Sequence, residues 1–186
     1  MPDNKKFKNL KNQNNLSEKE FTDCTWQNCD FSHTNFSQTK FIDCKFIYCK
    51  FLNSNLLDCS FQTVSFSDCL FSEINFSILN IFLLDFHFQN CTLNLCNFTN
   101  LELKEIAFLN CTIKNTTFEN VKLNKADFTG SNLLGSFFSR CDLSQANFID
   151  AINYYIDPAD NNLKKAKFSY PQVLSLLKKY DIEIHY

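Results

Sequence analysis

Large apolar residues return at every fifth position through the first half of the chain: Trp26, Phe31, Phe36, Phe41, Phe46, Phe51, Leu56, Phe61, Phe66, Phe71 and Phe76. Two residues before each stands a compact one, as in Cys24, Cys29, Thr34, Thr39, Cys44 and Cys49, and mostly polar residues fill the gaps. A helix repeats at about 3.6 residues and a strand at about 2, so neither has this period. The repeat itself is therefore the structural unit.

One register runs by fives from Leu16 through Ile81 to Phe86, and a second from Leu93 to Phe148. Two extra residues thus fall near 84–90. In a solenoid each coil touches only its neighbours, so such an insertion is expected to bulge outward or bend the axis. In the second register Phe alternates with Leu or Ile. With four units per coil, that alternation predicts Phe on two opposite faces and shorter aliphatics on the other two.

Units such as Cys29-Asp30-Phe31-Ser32 and Ala126-Asp127-Phe128-Thr129 resemble the pentapeptide-repeat family, whose pattern is small, Asp/Asn, Leu/Phe, Ser/Thr, any. The resemblance implies an all-β fold, a right-handed quadrilateral parallel β-helix with 20 residues per coil. The central and small residues point inward. At about 4.8 Å per coil the repeats make nearly seven coils and a rod of about 33 Å. The expected core includes Phe31, Phe51, Phe71, Phe108, Phe128 and Phe148.

Three segments follow. Residues 1–15 are rich in Lys and Asn and read as a flexible lead-in. Residues 16–150 carry the repeats. Residues 151–186 read as a cap: Ser169-Tyr170-Pro171-Gln172 fits a capping box, and Val173, Leu174, Leu176 and Leu177 form an apolar helical stripe. Tyr180 to Ile184 alternates as a short strand. This tail also resembles that of the gyrase-interacting members of the family, the Qnr, MfpA and microcin B17 immunity group. That resemblance implies a homodimer joined end to end, with Val173, Leu174, Leu177, Ile182 and Ile184 at cap and dimer contacts.

Ten cysteines could suggest disulfides or a metal. Yet all ten fall at the small position, and Cys29, Cys49, Cys69, Cys91 and Cys111 are predicted to stack as one inward column. Cysteine there is a small hydrophobe. His33, His87 and His185 have no ligand spacing, so no metal and no cofactor are expected. Neither a phosphate loop nor a nucleophile with its base is present, and a non-enzymatic protein is expected. With no apolar run of membrane-spanning length and no secretory signal, a cytoplasmic protein is expected.

Charge changes the picture. Residues 16–150 hold 15 acidic and 9 basic side chains, while both flanking segments are net positive, so the overall charge of -2 hides an acidic rod. Asp68, Asp85, Asp127 and Asp150 are expected on one face with Lys45, and Glu119 on a neighbouring face with Arg140. The family resemblance gives this a meaning: an acidic rod of about the girth of duplex DNA can mimic DNA and bind DNA gyrase, a type II topoisomerase. It would protect the enzyme from quinolones or a gyrase-directed toxin, or modulate it, without contacting nucleic acid or membrane. The alternative is a passive scaffold docking through apolar patches such as Phe82 with Leu83.

Overall fold

The computed structural model describes residues 3–11, 14–180 and 182–183. Every strand pair is parallel, and the strands are two to four residues long. They stack into ladders that run along a right-handed, four-sided β-helix. Face 1 aligns Phe98, Phe118 and Phe138, and face 2 aligns Phe21, Phe41 and Phe61. Face 3 aligns Trp26, Phe46, Phe66, Phe88 and Phe108. Face 4 aligns Phe51, Phe71, Leu93 and Ile113.

The five-residue unit folds this way because one residue in five turns the corner. The second residue after the inward one takes positive φ, as in His33 (58°), Asn53 (51°), Asp68 (55°) and Asn115 (49°). Asn and Asp tolerate that left-handed region better than other L-residues. Both glycines of the chain, Gly130 (68°) and Gly135 (72°), stand at such corners.

Inside, the ladders interlock. Phe108, Phe128 and Phe148 stack face to face along face 3, at 5.1 and 4.9 Å between centroids. Phe98 and Phe118 stack at 5.1 Å on face 1, and the two columns meet edge to face, with Phe98 at 89° to Phe108. Such pairs suit the ring quadrupole. The alternation of the second register does place Phe on opposite faces. Phe31, Phe51, Phe71, Phe108, Phe128 and Phe148 are all buried.

The small inward position has its own chemistry. Its hydroxyl or thiol donates to the carbonyl of an inward residue one coil below: Thr39 to Leu16 (2.6 Å), Ser54 to Phe31 (2.8 Å), Ser131 to Phe108 (2.6 Å) and Cys44 to Phe21 (3.3 Å). Cys, Ser and Thr are interchangeable there because each offers a short donor. All ten cysteines are buried and none is in a disulfide. The predicted column is present, with the amides of Cys49 and Cys69 each donating to the sulfur above, Cys69 and Cys91.

Several expectations are corrected. The lead-in carries structure: Lys6–Lys8 pairs with Thr25–Gln27, and Phe7 stacks on Trp26 at 3.9 Å. The open lower rung is covered because Phe7 shields an indole that would otherwise meet water. With Phe168 pairing above Phe148 at the other end, face 3 has nine rungs from Phe7, which gives eight coil steps and a rod of about 38 Å.

The insertion also lies elsewhere. Ile81, Phe82 and Leu83, of which Ile81 belongs to the first register, are 73, 70 and 63% exposed. The second register starts at Phe88, opposite Phe66, while Phe86 fills the small position opposite Val64. Alternate residues of a strand face the same way, so Phe86–Gln89 puts both rings inside and His87 out. The chain between is pushed into a bulge.

At the C-terminus, a 3-10 helix spans Gln172–Tyr180. Ser169 does not cap it: its hydroxyl accepts the Asp150 amide (2.9 Å), because Lys167–Phe168 pairs one coil above Asn147–Phe148 and sets Ser169 over that corner. The strand expected over Tyr180–Ile184 is not formed by the described residues. Tyr180 ends the helix, Ile182 and Glu183 lie in no strand, and Ile184 lies outside the described residues. Lys179, paired with Asp157, keeps this last turn on the solenoid.

Candidate protein-interaction surface

The outward positions decide what the rod can contact. Along its edges, acids and bases twenty or twenty-one residues apart meet across neighbouring coils: Glu20 with Lys40 (3.6 Å), Glu102 with Lys122, Glu105 with Lys125 (2.7 Å) and Glu119 with Arg140. The lysines hold the Glu102 and Glu105 carboxyls below the usual range. Exposed pairs of this kind contribute little stability. Their effect is to cancel charge.

The expected acidic set therefore does not form one surface. Asp68 and Asp150 stand at the corner between faces 3 and 4, where the turns after Phe66 and Phe148 fall. Asp127 lies on face 3, but its carboxylate accepts the amide and hydroxyl of Thr129 and the amide of Asn147. Glu119 follows Phe118 on face 1, on the far side of the rod, and is neutralised by Arg140. Lys167 sits one coil above Asn147 and two above Asp127, which adds positive charge to face 3.

Asp85 belongs to a different line. The corner between faces 2 and 3 stacks Asp23, Asp43, Thr63, Asp85 and Glu105, as the ladders Thr22, Ile42, Gln62 and Phe66, Phe88, Phe108 require. Asp23, Asp43 and Asp85 are exposed and form no ion pair among the described residues. This is an unneutralised carboxylate ridge over the lower half of the rod. Asp23 and Asp43 are absent from the sequence-derived set. Counting by twenty, with two added at the bulge, aligns them with Asp85; grouping by face instead hides residues that sit on an edge. Above Glu105 the same edge turns basic, with Lys125 and then Lys165.

At the C-terminal end, Leu176 packs on the core beneath the 3-10 helix. Val173 and Leu174 are partly buried, and Leu177, Tyr180 and Ile182 are exposed. Burial pushes the Tyr154 hydroxyl up, with Ser175 opposite it. Of the histidines, His33 stands at a corner and His87 on face 3, and His185 is outside the described residues. Burial pushes the Cys44 and Cys96 thiols up to about 12, which fits packing groups rather than nucleophiles.

These five-residue units, wound four to a coil, define a parallel β-solenoid. The pentapeptide repeat region profile matches residues 19–86 and 80–148, and the chain belongs to the pentapeptide-repeat family. No curated protein matches it in sequence. Among solved structures, a trypsin-treated variant of QnrB1, a plasmid-mediated fluoroquinolone resistance protein, is similar at TM-score 0.57 and 15% identity, with 97% of each chain covered. Full-length QnrB1 gives 0.47 at 17% identity, covering 97% of this chain and 99% of its own. HetL, involved in heterocyst differentiation regulation in the cyanobacterium Nostoc sp., gives 0.42 at 14%, covering 88% and 85%. At 15% identity the first of these likenesses shows the fold alone.

Proposed function

We propose that this chain is a non-catalytic, DNA-mimicking protein of the cytoplasm that binds a type II topoisomerase, DNA gyrase, and protects it from quinolones or a gyrase-directed toxin, or modulates it. The observation that supports this is the ridge of Asp23, Asp43 and Asp85: the first two stand one coil step apart, about 4.8 Å, Asp85 follows two steps on, beyond Thr63, and none of the three forms an ion pair among the described residues. A strand of DNA presents a phosphate about every 3.4 Å, so the ridge is a sparser line of charge on a rod of comparable girth. The full-length likeness to the fold of a fluoroquinolone resistance protein points the same way. In this reading the exposed side chains of Leu177 and Ile182, with Val173, Leu174 and Ile184, join two copies through their C-terminal ends.

Supercoiling by purified gyrase, with increasing protein and with or without ciprofloxacin, tests the proposal. Inhibition or rescue that is lost when Asp23, Asp43 and Asp85 are all changed to Asn supports it. No effect of the wild-type protein at micromolar concentration would remove gyrase as the partner.

A second reading rests on the bulge. Ile81, Phe82 and Leu83 form an exposed apolar projection that the solenoid core does not use, which favours a scaffold docking into an apolar pocket of another protein. Raising ionic strength separates the two, because the ridge is screened and apolar docking is not.

A further inference from the structure

Face 1 changes character at its upper end. The outward position before each inward residue reads Asn15, Asn35, Asn55, Asn75 and Asn97, then Thr117, Phe137 and Tyr155. The asparagines bond to one another, as Asn55 does to Asn35 and Asn97 to Asn75 (both 3.1 Å). Phe137 and Tyr155 replace that ladder with two aromatic rings paired across one coil step, 52 and 50% exposed. A solenoid gains nothing in core packing from rings that face water.

These rings do not stand alone. They border a recess of about 440 Å³ whose other walls are Phe138, Asp157, Ala159, Asp160 and Lys179. One Asp157 oxygen accepts the Ala159 amide (2.9 Å), which fixes the carboxylate, and the other takes the Lys179 ammonium from the C-terminal 3-10 helix. Asp160 accepts the Arg140 amide at 3.2 Å. The recess thus combines two aromatic rings, two oriented carboxylates and one cation already seated from the chain itself.

We propose that this recess is a binding site for an arginine side chain of a protein partner, with Lys179 as the internal cation that it displaces. A guanidinium is planar and weakly hydrated, stacks on aromatic rings and pairs with a carboxylate through two N–H groups. An ammonium offers only a point charge, so arginine competes favourably with Lys179 where rings are present. A recess of about 440 Å³ has room for one arginine side chain. This site is independent of the carboxylate ridge and does not rest on the topoisomerase reading.

The probes are three capped tripeptides, Gly-Arg-Gly, Gly-Lys-Gly and Gly-citrulline-Gly, titrated into the full-length protein with its Phe and Tyr rings isotopically labelled for NMR. The arginine peptide should shift the Phe137 and Tyr155 ring signals saturably, the lysine peptide at least several-fold more weakly, and citrulline, equal in shape but uncharged, not at all. Lys179→Met should tighten arginine binding several-fold, and Tyr155→Ser and Asp157→Asn should each abolish it. Thermal melting establishes that each variant is folded. Absence of saturable shifts up to 10 mM arginine peptide, on the order of the weakest useful affinity, would overturn the proposal. So would equal shifts with citrulline, or weaker binding to Lys179→Met that is still folded.

Discussion

Phe108 lies directly beneath Phe128, their rings 5.1 Å apart and within 5° of parallel, while Phe98 and Phe118 meet Phe108 edge-on from the opposite face at 5.8 and 5.9 Å. One ring therefore ties two ladders and three coils together.

Removing it should be costly. Phe108→Ala leaves a cavity that the rigid rungs above and below cannot close, and a loss of about 3–5 kcal/mol is expected. Denaturant unfolding followed by circular dichroism checks this. A variant melting within a degree of wild type would contradict the interlocked ladders.

The bulge should behave in the opposite way. Changing Ile81, Phe82 and Leu83 together to Ser leaves the core untouched, and stability should stay within about 0.5 kcal/mol per site. If Ile81 were an inward member of the repeat, the same change would lower the melting temperature sharply. Differential scanning calorimetry distinguishes the two.

Corner geometry makes its own prediction. Gly130, at φ 68°, is followed in its turn by Ser131, whose amide bonds the Phe128 carbonyl at 3.0 Å. Gly130→Val forces a β-branched side chain into the left-handed region and should cost about 1–3 kcal/mol. Gly130→Asn should cost less, because Asn occupies many of the other corners.

Alkaline pH should unfold the rod. Burial raises the Cys44 and Cys96 thiols to about 12 from an ordinary value of 9, so between those values the unfolded chain binds fewer protons than the folded one. Stability from these groups is fully present below pH 9 and falls progressively towards pH 12. Denaturant midpoints measured from pH 7 to 11 should decline above 9. A Cys44→Ser, Cys96→Ser variant should show a shallower decline.

Charge position should matter more than charge count. In the supercoiling assay Glu119→Gln is expected to act like wild type, since Arg140 already neutralises Glu119 on face 1, whereas Asp43→Asn should reduce the effect. Equal losses from both substitutions would place the active surface elsewhere than the ridge.

The five-residue period determined the fold class, the inward Phe residues, the opposite-face alternation and the thiol column, because each is a local consequence of a unit that repeats its own backbone. Asn and Asp at the corners needed no distant partner to turn the chain. Tertiary structure alone decided where the register breaks: whether Ile81 or Phe88 enters the core depends on Val64 and Phe66 one coil below, which leave room for Phe86 and a partner for Phe88. It likewise decided that Ser169 serves Asp150 rather than the helix, and that Asp85 shares its edge with Asp23 and Asp43 rather than with Asp127. Side chains on an edge meet neighbours from the coils above and below, twenty residues away in sequence, and which of those is a cation fixes what charge the rod presents to a partner.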